Sequence, residues 1–328
     1  MRAVTTEARA FWITRPGDGR VLRAELPPPG PGEVRVRTIM SGISAGTERV
    51  VFTGGVPPSQ YEAMRAPFQE GHFPGPVKYG YAAVGTIEAG PPERIGERVF
   101  CLHPHASAFV VPAAAAVPVP AAVPTGRAVL AANMETALNA VWDAAAAPGE
   151  RVGVVGAGVV GLLTAYVLAR FGFAPVVVDV DPARARTAAA LGVAFATPDA
   201  AAGPFDLLIH ASGAPAGLIW ALERLAFEGR VVELSWYGER EVTLPLGAAF
   251  HSRRLKLVSS QVGAVARPMR GRVDHRGRLA RALALLDDDR LDALLDATVP
   301  LAELPALMRA LAADGRRVLC ARVTYGDT

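Results

Sequence analysis

Gly156-Ala-Gly158-Val159-Val160-Gly161 places three glycines at the spacing that lets a strand turn into a helix around a phosphate. Gly156 suits the tight turn, Gly158 lets a pyrophosphate approach the backbone, and Gly161 allows close packing of helix on strand. The helix N-terminus, with Val159 and Val160 in its first turn, offers unpaired N–H groups and partial positive charge to the phosphates. Asp179 closes the apolar run Val176-Val-Val-Asp179, about twenty residues further on, where a carboxylate accepts from both ribose hydroxyls and repels a 2′-phosphate. The pattern therefore predicts a dinucleotide site, with NAD favoured over NADP. Arg184 and Arg186 are the competing charges that could cradle a 2′-phosphate. Asp181 precedes Pro182 and reads as the N-cap of the next helix. Ala211-Ser212-Gly213 and Trp236-Tyr237-Gly238 fall at predicted strand ends, where the nicotinamide half would lie.

The elements that must hold these groups follow from periodicity. From residue 151 onward strands and helices alternate: strands at 151–155, 175–180, 206–211, 230–235 and 255–261, and helices at 159–171, 182–191 and 216–225. That alternation predicts a parallel, doubly wound Rossmann sheet. The first hundred residues instead read as short strands at 8–14, 21–25, 34–40, 82–88 and 98–101, separated by Pro/Gly turns, which suits a small partly closed barrel. The Ala/Val/Pro stretch 112–124 reads as a boundary. Amphipathic helices at 279–286 and 304–312 and a strand at 317–324 follow.

At 328 residues two domains are expected, and a net charge of +3 carried almost wholly by arginine gives no nucleic-acid footprint. The basic cluster from Arg267 to Arg278 reads as a solvated loop. The uncharged run 152–169 contains the fingerprint glycines and reads as strand, turn and helix, not a membrane span. Met1–Ala10 is charged and lacks the apolar core of a secretory leader. Cys101 and Cys320, unpaired in sequence, fit a reducing cytoplasm.

A barrel-like first part, a fingerprint near 156 and a C-terminal return together resemble the medium-chain dehydrogenase/reductase superfamily over essentially the whole chain. The resemblance implies an α/β protein: a GroES-like domain (1–124, completed by 270–328) and a Rossmann domain (125–269). Ser41-Gly-Ile-Ser44-Ala-Gly-Thr-Glu48 resembles the stretch that carries the first zinc ligand, with Ser44 at the cysteine. Tyr79-Gly80-Tyr81-Ala82 resembles the second, with Tyr81 at the histidine, and Ala132–Ala137 offers no cysteine for the third. Zinc needs thiolate, imidazole or carboxylate donors, so no catalytic metal is expected. Gly54, Pro74–Tyr81, Val99–His105, Ser235–Gly238, Phe250-His251 and Ser259–Gln261 resemble a zinc-free branch typified by bacteriochlorophyllide dehydrogenase-like proteins. This implies hydride transfer between a secondary alcohol or polyol and NAD.

Without a metal, the hydroxyl proton needs another acceptor. Tyr81, with Lys78 three residues earlier to favour its phenolate, is the first candidate. Moving a phenol from pKa ~10 to about 8 takes roughly 2.7 kcal/mol, within reach of one desolvated charge. His105, Glu135, Glu48 and His251 are the others, with Glu135 either a base or a structural acceptor; His103 and His105 alternate along an extended segment and would face one side, as a two-histidine wall or as a surface pair. His72, His210 and His275 read as structural or exposed. Two rival functions remain at this point: an NAD(P)H-dependent quinone or enone reductase, and a non-catalytic NAD-binding sensor or scaffold. The partners expected are a small-molecule substrate and a second copy of the chain, joined through the edge strand 255–261; no nucleic acid or membrane is expected.

Overall fold

The computed structural model describes residues 6–313 and 318–326 and divides into two compact units. The first comprises Met1–Ala132, Leu283–Asp288 and Leu295–Thr328, and the second Asn133–Ala282 and Asp289–Leu294.

In the first unit the long strand Glu33–Ser44 organises the larger sheet. It pairs antiparallel with Ala83–Ala89, with Ala108–Pro112 and with Cys320–Thr324. Alternation explains its register. Val34 and Val36 point into a core with Ile87, Val99, Phe109 and Val111. Arg35 and Arg37 point outward, and each donates to Glu88 at 2.7 Å. Cys320–Thr324 is also paired on its other side, in parallel with Leu295–Pro300, so this late segment is an interior strand. A second, four-stranded sheet holds Asp18–Leu26, Thr6–Arg15, Val77–Lys78 and Glu70–Gly71 in that order.

The second unit is a six-stranded parallel sheet in the order Ala194–Ala196, Val176–Val178, Val152–Val155, Phe205–His210, Leu225–Glu233, Lys256–Ser259. Every residue of Val152–Val155 is buried, as both-face coverage of a parallel strand demands. The helix Val159–Arg170 is buried nearly all round, which is why its sequence shows no polar stripe.

Several expected bounds move. The predicted helix 182–191 is a 3₁₀ turn, Pro182–Arg184, continued by the helix Ala185–Ala190. Strand Leu225–Glu233 starts five residues before the expected 230. The barrel unit reaches Ala132 instead of ending at 124: Val117–Pro118 pairs with Arg98–Cys101, Arg98 donates to the Pro120 carbonyl at 3.0 Å, and Arg127 to that of Leu286 at 3.3 Å. Residues 270–282 belong to the second unit, not to the C-terminal return. Their anchor is Arg278, which is not in a solvated loop but 2% exposed on the helix His275–Ala284. The expected strand start at Arg317 lies outside the described residues.

Candidate functional site

The fingerprint turn is shaped by contact. Gly156 has φ +106°, and a Cβ there would stand 2.7 Å from the Ser212 backbone. A Cβ on Gly161 would overlap the Gly156 carbonyl oxygen, so this glycine seats the helix on the turn. Gly158 differs: it has ordinary φ, and a Cβ would meet nothing within 4 Å. Protein packing does not call for a glycine at 158; a ligand lying against the backbone does. Leu162 is the first residue to donate back into the helix, to Gly158 at 2.9 Å, so the N–H groups of Val159, Val160 and Gly161 have no acceptor within it. A dinucleotide pyrophosphate fits this cradle.

Asp179 is fixed by two backbone donors, Ala157 N–H at 2.6 Å and Asp181 N–H at 2.8 Å. It therefore ties the fingerprint loop to the next strand end, and its remaining lone pairs are those available to a ribose. Asp181 caps the following turn as expected, accepting from Ala183 N–H at 3.1 Å, and holds Arg184 at 3.7 Å. Arg186 is exposed.

On the other side of the fingerprint strand stands a cluster in which the sequence singled out only part. His210, fully buried, ends its strand and is paired in register with Glu233. Its Nδ1 faces the Glu233 carboxylate at 2.8 and 2.9 Å, and its Nε2 faces Ser212 Oγ at 2.6 Å. Glu233 also accepts from Ser235 N–H at 2.6 Å and from the Tyr237 hydroxyl at 3.1 Å. Burial, then the charge of Glu233, raise the Tyr237 phenol above its usual range. Gly213 donates to Ser235 Oγ at 3.0 Å, and Trp236 is partly buried beside this cluster in sequence.

The first unit gathers most of the expected proton-handling residues. Strand Glu33–Ser44 runs straight into the helix Ala45–Phe52, so Ser41, Ser44, Thr47 and Glu48 come from one junction. Glu48 accepts from Ser44 N–H at 2.8 Å and faces His105 Nε2 at 2.9 Å. His105 Nδ1 lies 2.7 Å from Ser41 Oγ, which lies 2.7 Å from the Tyr325 hydroxyl. An ionised carboxylate only accepts, so Nε2 carries the proton, Ser41 donates to Nδ1, and Tyr325 donates to Ser41. Tyr325 and Ser41 were not singled out in the sequence; the pairing of Val323 with Ser41 brings them together. Gly80, at φ +126°, leaves the room for the His105 ring: a Cβ there would be 2.8 Å from it. Tyr81 bonds Ser44 and Thr47 through its hydroxyl, and its pKa rises, through burial first and the Glu48 charge second.

Three expectations need correction. Lys78 does not assist Tyr81: it is buried in the smaller sheet and ion-paired with Glu70, and Tyr81 shifts up, not down. Glu135 is no free base, since Arg278 grips it at 2.9 Å in the second unit. Burial pushes its carboxyl up and Arg278 opposes that. His103 and His105 are no surface pair, since both are buried, and His103 is engaged elsewhere: it stacks on Phe109 at 3.8 Å, and burial first and Lys78 second push its pKa down to about 3. His251 is exposed. Both cysteines are free and buried, and burial pushes each thiol up to about 12, which leaves neither a ready nucleophile.

Among the described residues no group of three or more His, Cys, Asp or Glu side chains stands where it could hold a metal ion. Ser44 and Tyr81, at the positions the resemblance gives to zinc ligands, offer only hydroxyls, and the neighbouring Glu48 and His105 are bonded to one another. A catalytic zinc does not fit this set. Among the same residues no helix is long and apolar enough to cross a membrane.

A phosphate cradle on the doubly wound sheet of one unit and a buried carboxylate–imidazole–hydroxyl cluster in the other are the parts that a dinucleotide-dependent oxidoreductase of the alcohol and polyol dehydrogenase kind needs. Comparison with known proteins agrees. The chain is 30% identical over 267 residues to the 2-desacetyl-2-hydroxyethyl bacteriochlorophyllide A dehydrogenase of Rhodobacter capsulatus, covering 75% of this chain and 77% of that one. It is 29% identical over 269 residues to the glucose 1-dehydrogenase of Thermoproteus tenax, covering 72% and 76%. It belongs to the medium-chain dehydrogenase/reductase superfamily. Solved structures share the fold at low identity. An alcohol dehydrogenase from E. coli CFT073 complexed with NADH matches with TM-score 0.76 and 17% identity over 98% of this chain and 100% of that one. A zinc-binding dehydrogenase of Sinorhizobium meliloti 1021 bound to NADP matches with TM-score 0.77 and 18% identity over 97% and 99%. No family model matches the chain.

Proposed function

We propose that this chain is a zinc-independent oxidoreductase that transfers a hydride between a secondary alcohol or polyol, or the corresponding ketone, and NAD. The observation that carries the reading is the connected set Glu48–His105–Ser41–Tyr325, with Tyr81, which the resemblance sets at a zinc-binding histidine, beside it. Gly156, Gly158, Val159, Val160, Gly161, Asp179, Ser212, Gly213, Trp236 and Tyr237 would hold the dinucleotide, whose nicotinamide supplies the hydride chemistry when bound. Oxidation of an alcohol must shed the hydroxyl proton. His105 has Glu48 on one ring nitrogen and the Ser41 hydroxyl on the other, so a proton gained at Nδ1 is matched by the carboxylate at Nε2. Tyr81, with its raised pKa, stays a neutral phenol and acts as a hydrogen-bond donor to the reacting oxygen. Asp179, held at its strand end, supports NAD over NADP. A homodimer is part of the reading, since Lys256–Ser259 is an exposed edge strand with Leu257 and Val258 39% and 40% exposed. So is a cytoplasmic setting, with both cysteines free.

The test is NADH formation against a panel of secondary alcohols and sugars, with and without chelator, alongside metal analysis of protein grown in zinc-supplemented medium. Turnover unaffected by chelation is the expected result. One tightly held zinc per chain, lost together with activity, would overturn the reading.

A further inference from the structure

The sheet order places Val152–Val155 between Val176–Val178 on one side and Phe205–His210 on the other, the switch point of a doubly wound sheet. Asp179 lies on the first side, so a dinucleotide whose phosphates sit on the fingerprint helix must extend its second half over the ends of Phe205–His210 and Leu225–Glu233. There Ser212 is exposed, and its hydroxyl is not free to turn. The Glu233 carboxylate takes the Ser235 N–H, the Tyr237 hydroxyl and His210 Nδ1, so His210 carries its proton on Nδ1 and turns Nε2 towards Ser212 as the acceptor. The Ser212 O–H must then donate to Nε2, at 2.6 Å. One lone pair of Ser212 Oγ takes the Ala214 N–H at 3.1 Å, which leaves the second for a ligand at this exposed residue.

From this geometry we infer that Ser212, oriented by His210 and Glu233, is a dedicated hydrogen-bond acceptor for a primary amide, the carboxamide NH₂ of the nicotinamide ring. His210 and Glu233 are positioning residues. The inference rests on the nicotinamide reading above. The same three side chains would suit acyl transfer, but the nearest backbone donors for an oxyanion are already used: Gly213 N–H on Ser235 and Ala214 N–H on Ser212 itself.

The test compares binding of NADH and of reduced 3-acetylpyridine adenine dinucleotide, in which a methyl replaces the amide nitrogen. Both are titrated into the wild-type chain and into Ser212→Ala, Ser212→Thr and His210→Leu. The wild type is expected to prefer NADH by roughly three- to tenfold, the worth of one neutral hydrogen bond. Ser212→Ala should erase that preference, and Ser212→Thr should keep it. His210→Leu should weaken the ratio, which a purely structural role would not do because it would lower both affinities together. An unchanged ratio in Ser212→Ala, with both cofactors still bound, overturns the inference and leaves the cofactor reading intact. Failure of the wild type to bind either dinucleotide overturns both.

Discussion

Arg278→Met asks whether Glu135 is one half of a buried ion pair or a reacting group. The guanidinium donates to Glu135 at 2.9 Å, to Asn139 Oδ1 at 2.6 Å, and to the carbonyls of Ala264 at 3.1 Å and Val262 at 2.5 Å. Methionine keeps most of the apolar stem, so packing changes little while every donor is lost. Leaving buried acceptors short of a partner costs about 1–3 kcal/mol. The larger effect falls on Glu135, whose pKa burial already raises and Arg278 holds back. In the variant that carboxyl moves further up. The unfolded chain releases the proton near the ordinary pKa of about 4.3, while the folded variant holds it to higher pH. Above that pH the unfolded state binds fewer protons, so the variant's stability falls as pH rises. Breaking a buried pair costs about 3–5 kcal/mol once the survivor must stay ionised. The deficit should therefore be larger near pH 8 than near pH 5 by at least ~1.4 kcal/mol, one pKa unit's worth. Urea unfolding followed by tryptophan fluorescence measures this, since Trp142, Trp220 and Trp236 all lie in the second unit. In Arg278→Met/Glu135→Gln the added pH dependence should vanish. Equal deficits for Arg278→Met at the two pH values would refute the reasoning.

Tyr81→Phe deletes only a hydroxyl; turnover is expected to fall roughly 10²-fold or more with NADH affinity unchanged, and near-full turnover would leave Tyr81 a wall residue. Glu48→Gln should bring the Tyr81 phenol down towards its usual range, because the carboxylate's charge is, after burial, what holds it up; ultraviolet titration of tyrosinate reads this, and an unmoved titration retires the pairing. NADH should bind at least about tenfold tighter than NADPH through Asp179, whereas equal affinities in a fluorescence titration would mean that Arg184 or Arg186 dominates. Light scattering at micromolar concentration should report a dimer, and a monomer removes the edge-strand pairing.

The fingerprint turn was legible because the positive φ of Gly156 and the seat of Gly161 on the Gly156 carbonyl are demands of the turn itself, and local demands are written locally. Asp181 as a cap was legible for the same reason. Lys78 and Glu135 were misread because their partners, Glu70 and Arg278, are chosen by sheet register and helix docking, which spacing along the chain does not encode. Ser41 and Tyr325 are 284 positions apart and meet only through strand pairing. One signal was available and unused: His210-Ala-Ser212 and Glu233-Leu-Ser235 repeat the same offset at the ends of successive strands, which lie side by side in a doubly wound sheet.

The interior position of Cys320–Thr324 has a consequence for how the protein is made. Its neighbour, Met40–Ser44, emerges from the ribosome early, yet cannot complete its pairing until the whole second unit has been synthesised. At ordinary elongation rates the wait is on the order of ten to fifty seconds. During that interval the end of the strand that carries Ser41 and Ser44 stands as an open edge, a template for any other nascent strand. The second unit, its residues nearly contiguous, can finish first. Vectorial synthesis thus assembles the cofactor cradle before the proton-handling cluster, and Tyr325 joins that cluster only when the last strand docks.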